Sequence, residues 1–150
     1  MINYFNSKLM TIIKGKHTKL EIINKLVELV DNNTNLIVDK KGFSKNLHER
    51  EKIGSTCIGM GIAIPHARCE GLKDLVIAIG LLEEPALYDS LDSEPIKIVV
   101  LVGAPKEKSS EYLVLLSQLA KIFRSKNNRE IIKSARNQKE LIESIMEIED

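Results

Sequence analysis

Apolar positions recur at a helical spacing after Thr18, where Leu20, Ile23, Leu26, Val27 and Val30 fall on one face. Thr18 stands where a hydroxyl can accept from the first free amides of a helix. The pattern breaks at 31–33, so the spacing predicts a helix that starts after Thr18 and ends there. A second helix is expected over 44–52, with Leu47 turned inward, Arg50 in its last turn and Gly54 as its stop. The rhythm then changes. Residues 76–79 and 98–102 are nearly unbroken apolar, β-branched runs, the mark of strands covered on both faces. Between them Glu84-Pro85 and Ser93-Glu94-Pro95 read as turns. Beyond Pro105, Ser109 or Ser110 is placed to cap a long helix burying Leu113, Leu116, Leu119, Ala120 and Phe123. Shorter helices are expected near 128–134 and 138–148. Together these elements predict an α/β fold: a single domain over 1–150, with a central mixed β-sheet flanked by helices.

The chain has 150 residues and 43% apolar content, enough for one sizeable core. Its net charge is +1, with both signs interspersed. The most basic stretch, 121–136, also carries Glu130 and several apolar residues, so it reads as a solvated helical face and not as a nucleic-acid footprint. The apolar runs fall far short of the roughly 18 residues of a membrane span. Residues 1–7 lack the charged head and long apolar stretch of a secretory signal, so a cytoplasmic location is expected. Cys57 and Cys69 fit a reducing compartment, although their spacing leaves a disulfide open. With His17, His48 and His66 they form no metal-ligand spacing, and no metal or cofactor is expected. Nor does the loop separation between His66 and Cys69 give a geometric reason for a thiol–imidazole pair.

One stretch concentrates the chemistry: Gly54-Ser55-Thr56-Cys57-Ile58-Gly59-Met60-Gly61-Ile62-Ala63-Ile64-Pro65-His66-Ala67-Arg68. It places a histidine at the end of a short apolar run, behind three glycines and two hydroxyls. Glycine permits φ > 0 and close approach of the backbone to a ligand, and Pro65 fixes φ and withholds an N–H just before the imidazole. Spacing alone leaves two readings: an exposed, oriented histidine facing an anion, or a glycine-rich turn feeding an ordinary strand.

The segment Arg50-Glu51-Lys52-Ile53 through Pro65-His66-Ala67-Arg68 closely resembles the active-site signature of the fructose, mannitol and nitrogen-regulatory class of phosphotransferase-system (PTS) enzyme IIA domains. Tyr88-Asp89-Ser90-Leu91-Asp92-Ser93-Glu94-Pro95-Ile96-Lys97 and Leu113-Val114-Leu115-Leu116-Ser117-Gln118-Leu119-Ala120 are similar to further family segments, so the likeness runs from about Leu20 to Ile145. It implies an enzyme IIA fructose/mannitol-like fold and a phosphotransferase component working through a phosphohistidine. His66 would be the nucleophile, phosphorylated on Nε2, with its other nitrogen held by an acceptor that the sequence does not identify. A neutral imidazole is a competent nucleophile at pH 7. Phosphoryl transfer otherwise needs positioning and neutralisation of the equatorial oxygens, which Arg50 would supply through its planar fork.

Ser55 and Thr56 are candidate hydroxyl donors to the phosphoryl group, with loop amides near Gly59 and Gly61; turn capping is the alternative for each hydroxyl. Arg68 would share a face with His66 if the segment is extended, as a docking residue or a merely solvated one. The chain departs from the family at Tyr112, where members carry a second active-site histidine. Tyrosine can donate one hydrogen bond but brings no positive charge; packing is its alternative role. The resemblance implies a phosphorylated HPr-like carrier as donor, and an enzyme IIB domain or a regulatory protein as the partner beyond. A phosphorylation-sensitive binding module, or a scaffold that no longer transfers, are the competing readings.

Overall fold

The computed structural model describes residues 3–86 and 94–148. The first long helix, α1 (Lys19–Asn33), begins at Thr18 with a reciprocal cap: the Glu21 amide donates to the Thr18 hydroxyl at 3.2 Å, and the Thr18 amide to the Glu21 carboxylate at 2.9 Å. Its buried face is Ile22, Ile23, Leu26, Val27 and Val30; Leu20, expected on that face, is exposed. Helix α2 (Lys40–Ile53) starts four residues earlier than the spacing predicts, because Asp39 caps it by accepting from the Gly42 amide at 3.0 Å. Gly54 is the stop, as expected, and caps the helix in an extended backbone, at φ 176°.

Among the described residues six strands form one mixed sheet: β1 (Met10–Ile13), β2 (Cys57–Gly59), β3 (Ile62–Ala63), β4 (His66–Cys69), β5 (Val76–Ala86) and β6 (Ile96–Pro105). Their order is β1-β5-β6-β3-β2, with β4 also paired to β6. β3 and β4 run parallel to β6 in one continuous register, Ile62 opposite Ile98 and His66 opposite Val102, interrupted only at Ile64-Pro65. β5 is antiparallel to β6 and parallel to β1. The expected turn at Glu84-Pro85 is instead the distal part of β5. The β5–β6 register shifts between Leu81 and Ala86, and a proline without an N–H is tolerated at such an irregularity. Residues 88–93 of the resemblance, including Ser93 of the second predicted turn, lie outside the described residues.

Alternate residues of the central strands feed two cores, which is why the strands read as unbroken apolar runs. Val99 and Leu101 of β6 pack with Phe43, Leu47 and the buried face of α1. Ile98, Val100 and Val102 pack with three C-terminal helices. Those helices are α3 (Ser109–Arg124), α4 (Lys126–Lys133) and α5 (Gln138–Glu147). Neither serine caps α3 as expected. Lys108 occupies the cap without a side-chain bond, and the Ser109 hydroxyl donates to the Lys106 carbonyl at 2.8 Å. The phase of α3 also differs: Tyr112, Leu115, Leu119, Ile122 and Phe123 are buried, whereas Leu113 is 62% exposed. No helix among the described residues is long and apolar enough to cross a membrane.

Candidate functional site

The glycine-rich stretch folds into a tight hairpin between β2 and β3. Gly59, Met60 and Gly61 all have positive φ, from 61° to 85°, a backbone that favours glycine and carries the chain back within two residues. A Cβ at Gly61 would also lie 3.3 Å from the Pro95 carbonyl. Gly59 and Gly61 therefore serve the turn, and neither lines the clefts beside His66. The chain then passes Pro65 and enters β4, where His66 and Arg68 project to the α3 side while Ala67 and Cys69 face the other core.

The acceptor that holds the imidazole is the Ile64 carbonyl, 2.7 Å from His66 Nδ1. A carbonyl only accepts, so Nδ1 carries the proton and Nε2 keeps its lone pair. This contact uses a backbone oxygen two residues back and needs the break between β3 and β4.

Two clefts meet at His66. The larger, about 500 Å³, is lined by Asn46, Glu49, Arg50, Ile53, Arg68, Tyr112 and Leu113 as well as His66; the smaller, about 220 Å³, includes Ser55, Thr56 and Ile64. His66 and Arg50 line both. Arg50 reaches the site because α2 packs along β4, and its Nη1 donates to the Gly54 carbonyl at 2.7 Å. Tyr112, from the first turn of α3, sets its ring centroid 6.1 Å from that of His66 at 52°. Its hydroxyl pKa is pushed up to about 12, burial outweighing the pull of Arg50 and Arg68. It is therefore a neutral donor throughout the physiological range. Arg68 is anchored to the Ser109 hydroxyl.

The two hydroxyls have local partners. Ser55 Oγ accepts from the Cys57 amide at 3.2 Å and keeps its own proton for another acceptor. Thr56 is buried, and its hydroxyl donates to the Glu51 carboxylate. A phosphoryl oxygen would have to compete with that carboxylate for the proton. Glu51 escapes the sequence reading altogether: it is 7% exposed, lies in the C-terminal half of α2 and pairs with Lys19 at 3.5 Å. Cys57 and Cys69 are both buried, and no disulfide joins them. Among the described residues no three His, Cys, Asp or Glu side chains converge on a metal position.

Burial lowers the His66 pKa from its ordinary value; the Ile64 hydrogen bond opposes this, Arg50 reinforces it and Glu51 opposes it. The unfolded chain thus takes up this proton near pH 6.5, before the folded one does. Stability contributed by the neutral ring is present above pH 6.5 and is lost as pH falls through the depressed folded value. We expect the His66 ring to titrate below pH 6.5 by NMR, and the acid-side loss of stability in that window to be smaller in His66→Asn. Burial lowers His48 as well, so the difference between parent and variant isolates His66. A midpoint at or above 6.5 would contradict the assignment.

The molecule is thus an α/β domain whose edge strand presents a neutral imidazole nitrogen in the same clefts as a guanidinium. Solved structures share the fold. The chain superimposes on nitrogen regulatory protein IIA-Ntr from Neisseria meningitidis with a TM-score of 0.81 and 26% identity, covering 93% of this chain and 94% of that one. It shares the fold of IIA mannitol from Escherichia coli, with a TM-score of 0.76 at 16% identity over 94% and 98% of the two chains. In sequence it is 32% identical to the nitrogen regulatory protein of Pseudomonas aeruginosa over 112 residues, 75% of this chain and 73% of that protein. It is 31% identical to the fructose-specific PTS EIIABC component of Bacillus subtilis over 91% of this chain and 23% of that longer protein. The chain belongs to the phosphoenolpyruvate-dependent sugar phosphotransferase system EIIA 2 family, whose model matches residues 3–148. It is a phosphotransfer component of that system.

Proposed function

We propose that this domain carries a phosphoryl group on Nε2 of His66, received in the cytoplasm from a phosphorylated HPr-like protein. The observation that carries the proposal is the Nδ1–Ile64 hydrogen bond, which leaves Nε2 as the nucleophile beside Arg50. Nε2 attacks the donor's phosphorus in line, the donor's P–N bond breaks, and Arg50 neutralises the equatorial oxygens. For this Arg50 leaves the Gly54 carbonyl and turns its fork to the phosphoryl group. Ser55 and Tyr112 add neutral hydrogen bonds from opposite clefts.

Onward use has two forms. One is transfer to an enzyme IIB domain; an E. coli relative in fold is known as a complex of enzyme IIA mannitol with phosphorylated IIB mannitol. The other is regulation through the phosphorylated state. The regulatory form is favoured by the Pseudomonas and Neisseria relatives, which bear that name and match most of both chains. Incubation with a pre-phosphorylated HPr-like donor tests the carrier reading: an acid-labile, base-stable phosphoryl group should appear on the protein. Its absence with an active donor would contradict the reading. Subsequent addition of IIB domains then separates the two forms, by transfer or by retention.

Tyr112→Phe removes one hydroxyl and leaves the ring against His66. A hydrogen bond to a charged group is worth roughly 1.5–3 kcal/mol, so the phosphohistidine lifetime or transfer rate should change by about tenfold or more while the melting temperature holds. Tyr112→His should add a pH-dependent component between about pH 5 and 8. Parental kinetics in both variants across that range would reduce Tyr112 to a packing residue.

A further inference from the structure

The back of the imidazole is not held by Ile64 alone. Ile64 is itself tied to the loop after α2, since its amide donates to the Thr56 carbonyl at 3.0 Å. Thr56 is in turn gripped twice by one carboxylate: its amide donates to Glu51 Oε2 at 3.3 Å and its hydroxyl to Glu51 Oε1. Lys19 of α1 closes the series 3.5 Å from Glu51 Oε2. A carboxylate this deeply buried is costly unless its oxygens are satisfied, and here they fix the loop that bears the next link. We propose that Glu51 and Thr56 are positioning residues for the nucleophile. They form a mechanical relay, Glu51 to Thr56 to Ile64 to His66 Nδ1, that sets the tautomer and aim of the imidazole without touching the phosphoryl group.

The relay also explains the geometry around Arg50. Glu51 is the next residue on α2, so the carboxylate that pins Thr56 also fixes the helix end and Gly54, the resting acceptor of the guanidinium. Two site elements are therefore referenced to one buried point. The Glu51 charge lies close enough to His66 to oppose the effect of Arg50 on its protonation. The alternative, that Glu51 and Thr56 merely stabilise the loop, predicts an effect on melting temperature with no change at the imidazole.

The kinetic part of the test rests on the carrier reading, whereas the spectroscopic part does not. Thr56→Val removes the hydroxyl at nearly constant volume, and Thr56→Ser keeps it. In the unphosphorylated parent, imidazole ¹⁵N shifts should report His66 as the Nδ1–H tautomer. In Thr56→Val they should report a tautomer mixture, with phosphorylation by the HPr-like donor slowed at least about tenfold, since small misplacements of a reacting group are expensive in rate. Thr56→Ser should restore both readouts. Glu51→Gln keeps the shape but loses one of the two acceptor oxygens, and it should shift both readouts in the same direction as Thr56→Val. If Thr56→Val does not fold, Glu51→Gln decides. Parental ¹⁵N shifts and a rate within about threefold in the folded variants would overturn the relay. An active donor that fails to phosphorylate the parent would count against the carrier reading, and the tautomer spectra would still decide the relay.

Discussion

His66→Ala should abolish phosphorylation of the domain by an HPr-like donor while leaving it folded. His66 is only half-buried and its back nitrogen makes one hydrogen bond, to a carbonyl. Losing that bond costs about 1 kcal/mol, against a domain stability of roughly 5–15 kcal/mol. The chemistry has no such reserve. Cys57 and Cys69 are buried thiols, and burial raises the Cys69 pKa, which keeps it protonated and a poor nucleophile. His48 sits on α2, hydrogen-bonded to Asn24 at 2.9 Å. The expected result is a phosphoryl content falling from near stoichiometric to undetectable, with an unchanged circular dichroism spectrum. Retained phosphorylation in the folded variant would move the nucleophile elsewhere.

Arg50→Ala should keep His66 in place and slow phosphorylation by about 10²-fold or more, the usual consequence of removing one preorganised contact to developing charge. Its resting bond to Gly54 is partly solvated, so stability should change by about 1 kcal/mol at most. Arg50→Lys should fall between, since a point charge remains but the fork is lost. An independent readout accompanies the rate: Arg50 depresses the His66 pKa, so the midpoint of His66 should rise in Arg50→Ala. A rate within about threefold of the parent would make Arg50 structural or remote.

Most of the architecture was legible because its signals are additive over many residues. The α1 pattern, its Thr18 cap and the β5 and β6 runs each rest on several side chains. The misses lie where a segment is too short or too uniform to carry a phase, or where pairing overrides a local signal. Leu113-Val114-Leu115-Leu116 is continuously apolar and cannot set the phase of a helix, so Leu113 was expected inside where Tyr112 and Leu115 are buried. The four-residue β1 and the β4 that carries His66 are too short to show a period. Glu84-Pro85 carries a turn signal that the irregular β5–β6 pairing overrides.

At the site, side-chain identities were readable and their partners were not. Arg50, Ser55, Thr56, Tyr112 and His66 do gather around two adjoining clefts. The acceptor for Nδ1 is a main-chain oxygen, which every residue possesses, and no sequence pattern could single out Ile64. Glu51 stands in a charged helix end, Glu49-Arg50-Glu51-Lys52, where solvation is the default. Four residues after the inward Leu47, it lies on the buried face of α2 with Phe43 and Leu47. The usable signal was that i,i+4 spacing from Leu47, with the Thr56 hydroxyl five residues beyond Glu51.

The phosphoryl position on Nε2 of His66 is read out by ¹⁵N and ³¹P NMR of the protein labelled at histidine and exposed to a phosphorylated HPr-like donor. A phosphorus coupled to Nε2 of His66, with Nδ1 still protonated against Ile64, is the predicted result. A phosphoryl group on Nδ1, on another residue, or absent after exposure to a demonstrably active donor would contradict it.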